Sequence, residues 1–161
     1  MEIAFNLSLI TLLLAMSVML IVLLNLLVHI SVLMPLYNSI QHQTKQITST
    51  IDVAIKIIES TVLENNSLFM LSQKLVSDLK IFQHSVQKHL PVPFHPLHTA
   101  YKTTPLIVEI FTQLSDDVTA YNDATKRYND YCKIEKETLF WGKYFIKMFP
   151  RIATIPVVIH K

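Results

Sequence analysis

His89, His95 and His98 cluster around a stretch in which Pro91, Pro93 and Pro96 recur at short spacing. Three imidazoles could hold zinc, and with Glu109 of the following segment they would make a metal-dependent hydrolase. The loop offers no Cys or carboxylate of its own as a further ligand, however, and histidines are common at helix ends. Ser77-Asp78-Leu79-Lys80 has the Ser-x-x-Lys spacing of penicillin-binding enzymes, yet it falls inside a regular helical stripe and lacks their partner motifs. Asp116 and Asp117 read as a solvated helix face rather than a catalytic dyad. A single Gly in the chain leaves no Gly-rich phosphate loop. No catalytic, cofactor-binding or metal-ligating residue is therefore expected, with the loop histidines standing as the alternative.

The elements that would position any such group are helices. Tight hairpins need residues at φ > 0, and one Gly supplies too few of them for an all-β fold. After Pro35, Ile40, Ile47, Ile51, Ile55, Ile58 and Val62 step by seven, three or four and trace one helical stripe. Glu64-Asn65-Asn66-Ser67 interrupts it with residues that favour caps and turns. Leu68, Leu71, Leu75, Leu79, Phe82, Val86 and Leu90 form the next stripe, which the prolines end. Thr104-Pro105 reads as a cap followed by proline at the first helical position. From there Ile107, Ile110, Leu114, Val118, Tyr121, Tyr128 and Cys132 face one way.

A charge-free run governs the start of the chain. Between Ile3 and Thr44 there is no Asp, Glu, Lys or Arg, and residues 7–34 are almost continuously apolar. About 20 such residues cross a bilayer as a helix. The run is too long for a cleaved signal peptide and has no basic residue before it, so a retained anchor is expected. Asn25 and His29, four apart within it, could bond across to a second copy, although a position at the headgroups fits them better. Pro35 is expected to end the anchor, because proline disfavours helical geometry in the residue before it.

The expected fold is all-α: an N-terminal transmembrane helix followed by an antiparallel bundle of three to four long helices. Its parts are an anchor over 1–35, a helical bundle over 36–149 and an extended C-terminal tail over 150–161, extended or loosely attached. The helix after Pro35 would leave the membrane, the next would return, and the helix from Pro105 would run outward again. The aromatic-rich stretch Leu139 to Phe149, Trp141 included, would then cap the distal end. Lys45 is the first cation after the anchor and none precedes it, which favours a cytoplasmic body. The lone Cys132 fits a reducing compartment. A formal charge of +2 with interspersed signs gives no basic block that would track nucleic acid.

The most distinctive string is Tyr121-Asn122-Asp123-Ala124-Thr125-Lys126-Arg127-Tyr128-Asn129-Asp130. Its Tyr-Asn pair recurs after seven residues, which returns both tyrosines and both asparagines to nearly the same helical face. Tyr121 and Tyr128 are expected as core knobs, with Asn122 and Asn129 bonding to a neighbouring helix or loop. The string resembles the Tyr-Asn-Asp-Ala-x-x-x-Tyr-Asn signature of the LemA family, and Tyr37-Asn38 and Ile51-Asp52-Val53 match further family positions in order. The chain departs from that pattern before Ile51, where Ser49 and Thr50 stand in place of a usual Trp. The resemblance implies a single-pass protein of the bacterial inner membrane with a cytoplasmic helical domain and no known catalytic activity or cofactor. Its motif residues Tyr121, Asn122, Asp123, Ala124, Tyr128 and Asn129 are then the candidate interaction site. The implied role is a scaffold with the bilayer and an unidentified protein as partners. An unrelated membrane-tethered coiled coil, self-associating through the same stripes, is the other alternative.

Overall fold

The computed structural model describes residues 2–64, 69–92, 94, 105–138, 149 and 151–156. They hold three helices, α1 (Glu2–Glu64), α2 (Phe69–Gln87) and α3 (Pro105–Thr138), and no strand. The chain divides into two compact units, Met1–Pro35 and Leu36–Lys161. The expected turn at Asn65-Asn66-Ser67, the loop residues His95 and His98 and the aromatic-rich stretch from Leu139 to Met148 lie outside the described residues.

In the first unit α1 presents apolar side chains all round, Leu12, Leu14, Met19 and Ile21 among the exposed ones. Its most apolar window has a mean hydropathy of 2.7, and none of that window is buried. Among the described residues this is the one helix long and apolar enough to cross a membrane. Hydroxyls inside it bond to the preceding turn, as Thr11 does to Ser8 O and Ser17 to Leu13 O, so no helix-breaking partner is needed.

Pro35 does not end this helix. It lies within α1, which continues without a break to Glu64. An anchor and a separate second helix were expected; one continuous helix spans both, and the described residues hold three helices. Proline removes one hydrogen bond and crowds the preceding turn, at a cost of about 3 kcal/mol. Residues on both sides keep every other backbone bond by staying helical, and the isoleucine stripe beyond it fixes the outgoing geometry through burial.

That stripe builds the core of the second unit. Ile40, Ile47, Ile51, Ile55 and Ile58 of α1 are buried together with Leu79, Phe82 and Val86 of α2. From α3 come Ile107, Ile110, Phe111, Leu114, Val118, Tyr121, Tyr128 and Cys132. The α2 stripe is buried over one part only: Leu71 and Leu75 are half-covered and Leu90 is exposed. Asp116 faces solvent as expected, but Asp117 is buried and accepts a 2.7 Å hydrogen bond from Thr50 Oγ1.

Cross-helix pairs fix the directions. Along α1 from Gln41 to Thr48 and Asp52, the partners on α2 fall from His89, just past its end, to Gln83. From Tyr37 to Thr50 the partners on α3 likewise fall from Tyr128 to Asp117. Both helices are antiparallel to α1 and hence parallel to each other, contrary to the expected outward run of the last helix. The length of the α2–α3 connection permits this, since the stretch 88–104, at roughly 3.3 Å per extended residue, can run back the length of α2.

The α2 terminus is closed by two bonds, His89 N–H to Val86 O and Leu90 N–H to Ser85 O. This is a Schellman motif, whose left-handed position Gly usually fills. Here His89 occupies it at φ 54°, and the ring is thereby turned toward α1 and α3.

Candidate functional site

The Tyr-Asn repeat of α3 faces residues 151–156, which run beside it without secondary structure of their own. Asn122 Nδ2 donates to Ile155 O at 2.8 Å, and its Oδ1 accepts from Ile155 N–H at 2.7 Å. Asn129 repeats the arrangement on Ile152, donating to its carbonyl at 2.8 Å and accepting its N–H at 3.2 Å. Each side-chain amide thus reads one residue's donor and acceptor together, as a paired strand would.

The spacings explain why the repeat is seven. Seven helical residues rise about 10.5 Å, and three extended residues advance about 10 Å. Equivalent amides one heptad apart therefore meet residues three apart on the tail. Ile152 and Ile155 are buried while Arg151, Thr154 and Pro156 are exposed. That period of three fits a polyproline-like run, which returns every third side chain to one face. Tyr121 Oη adds a 3.3 Å bond to Ala153 O, and Phe94 N–H adds one of 2.9 Å to Pro156 O. Phe94 is itself held against Phe82, ring centroids 5.4 Å apart. Residues 151–156 are thereby pinned to α3 through their main chain.

The balance of this docking is close. Two buried isoleucines contribute about 3 to 6 kcal/mol and six hydrogen bonds about 6 kcal/mol net. Fixing the backbone of residues 151–156 costs roughly 6 to 12 kcal/mol.

A polar chain runs inward from the tail. Tyr121 Oη donates to Ala153 O and lies 3.1 Å from His89 Nδ1, whose Nε2 is 3.4 Å from Gln41 Nε2. Gln41 Nε2 also donates to Tyr37 Oη at 3.0 Å. The phenol donates to the carbonyl, so a neutral imidazole protonated on Nδ1, accepting from the glutamine amide at Nε2, is the tautomer that satisfies every group of the chain. Burial lowers the His89 pKa, consistent with that neutral form. Burial raises the Tyr121 pKa, the Thr125 hydroxyl pulling the other way. That pull reflects proximity: Thr125 Oγ1 is buried and, among the described residues, makes no bond of acceptable geometry. Burial first, then Cys132 and Tyr37, hold the Tyr128 phenol well above its ordinary range.

Of the motif residues, Tyr121 and Tyr128 are core, Asn122 and Asn129 bind the tail, Asp123 is exposed and Ala124 half-buried. Alongside the tail a shallow depression is lined by Asp123, Lys126, Asp130, Lys133 and Arg151. Among the described residues no three His, Cys, Asp or Glu side chains gather as a metal site. His89 has both ring nitrogens engaged, and Glu109, Ser77 and Lys80 are exposed on their helices. Sequence reasoning missed Gln41, Phe94 and the role of His89. Their contacts span long sequence separations, and no local pattern marks them. Comparison with protein-family models, curated proteins and solved structures finds no match for the chain.

Proposed function

We propose that this chain is a membrane-anchored helical-bundle scaffold, LemA-like, which acts by binding a protein partner and performs no chemistry of its own. The observation that carries this reading is the asparagine pair. Asn122 and Asn129 hold a peptide main chain by its N–H and C=O groups, a binding chemistry independent of any reacting atom. The apolar N-terminal part of α1 supports anchoring, since a helix with all its backbone bonds satisfied internally is what a bilayer accepts. With Lys45 as the nearest cation, the helical body lies in the cytoplasm, at the inner membrane of a bacterium.

The test is quantitative capture from detergent-solubilised membranes with full-length bait. A binding scaffold recovers a defined protein in near-stoichiometric amount, and recovery falls at least tenfold with the Asn122→Ala/Asn129→Ala bait. Equal recovery by both baits, or no recovered protein, would sink this reading.

A further inference from the structure

The site described above already contains a ligand, and that ligand is a short separable piece of chain. Residues 151–156 meet α3 through Asn122, Asn129 and Tyr121 and bury only Ile152 and Ile155. Nothing in these contacts requires the peptide to belong to the same molecule, because the asparagine amides, the Tyr121 hydroxyl and the Phe94 N–H all bond to its main chain and the two isoleucines are its buried side chains. The outer edge of the segment is open: Arg151, Thr154 and Pro156 are exposed beside the depression lined by Lys126 and Lys133. The near balance of docking against ordering keeps the closed state within reach of exchange.

We propose that the Tyr-Asn face of α3 is a receptor for an extended Ile-x-x-Ile peptide and that it exchanges its own tail for the 151–156 segment of a second copy of this chain. The occupant is a second copy because its tail is the one peptide whose complementarity to the face the structure displays. Anchoring brings copies together in one plane and raises their effective concentration, so the exchange rests on the anchored-scaffold reading above. Each exchanged site is completed by the other molecule's Ile152 and Ile155, and the pair is linked reciprocally.

The experiment uses full-length chains in detergent micelles and two differently tagged variants. Asn122→Ala/Asn129→Ala keeps the tail and breaks the receptor; Ile152→Asp/Ile155→Asp keeps the receptor and breaks the tail. Mixed together, they should co-capture at least tenfold above either variant paired with itself. Excess synthetic peptide of sequence Arg151–Pro156 should abolish the pairing. Co-capture no greater than in the self-pairs, with helix content unchanged by circular dichroism, would overturn the exchange.

If a variant loses helix content, a second measurement decides. Thr154→Cys, at an exposed position, carries a photocrosslinker in a mixture of isotopically heavy and light chains. Heavy-to-light crosslinks from residue 154 to the 122–133 stretch support exchange, and exclusively heavy-to-heavy and light-to-light products contradict it. Both readouts use purified chain alone. Failure here therefore leaves the capture of another protein from membranes undecided, and failure of that capture leaves exchange standing.

Discussion

Asn122 and Asn129 each hold a donor and an acceptor of the tail, so truncation of either leaves a partly buried N–H and C=O without their partners. Each Asn→Ala change should cost about 1 to 3 kcal/mol, read as a lowered unfolding midpoint in denaturant. Leaving Thr125 as a buried hydroxyl without a bond is also unfavourable. Thr125→Val should therefore hold or raise stability by about 1 kcal/mol; a loss of that size would mean the hydroxyl does bond to Tyr121. His89 makes stability depend on pH. Its folded pKa is below the ordinary 6.5, so the unfolded chain takes up the proton first as pH falls. Stability is fully present above about pH 6.5 and declines below it toward the lowered folded value. The added N–H on Nε2 would face the Gln41 amide donor. His89→Asn, which tolerates the left-handed backbone, should flatten a melting-temperature profile between pH 7 and 5. At this scale the Tyr-Asn heptad was legible, because one periodicity places four side chains on a face. The contact of the His89 ring with Tyr121 and the buried Asp117 were not, since each depends on a partner more than thirty residues away.

Helices differ in how firmly their stripes are buried, and substitutions should reveal it. Leu114 is fully buried in α3 whereas Leu75 of α2 is half-covered. Leu114→Ala should cost about 2 to 5 kcal/mol and Leu75→Ala clearly less, about 1 kcal/mol, in the same equilibrium unfolding measurement. Equal losses would mean that α2 packs more deeply than its exposure shows. The isoleucine stripe of α1 and the long stripe of α3 could be read directly from their spacing, since 3.6-residue periodicity survives any tertiary arrangement. Two element-level features could not. The continuity of α1 through Pro35 reflects burial on the far side overriding a local preference. The parallel course of α2 and α3 depends on how far the 88–104 connection travels, and composition does not encode that. Spin labels at exposed Asn38 and Asp130 test this course. Because Tyr37 and Tyr128 rings lie 6.3 Å apart, the labels should be within about 20 Å. A separation of about 40 Å would restore the outward-running helix.

For the whole molecule, the proposed anchor is the apolar run of residues 7–34, the described stretch long and apolar enough to cross a membrane, and deleting 1–35 should move the protein from the pelleted to the soluble fraction after alkaline extraction. The charge-free run made this segment plain from sequence, while the docking of the tail was hidden: Ile152 and Ile155 are ordinary isoleucines until α3 supplies the amides three tail residues apart. That docking joins the repeat, the tail and the proposed binding function, and single-residue amide exchange on the full chain in lipid nanodiscs tests it most directly. Ile152 and Ile155 N–H should exchange at least tenfold more slowly than the neighbouring Ala153 and Thr154, which neither asparagine bonds. The difference should vanish in Asn122→Ala/Asn129→Ala with the helices still protected. Uniform fast exchange across 151–156 in the unaltered chain would contradict the clamp and the main-chain binding built on it.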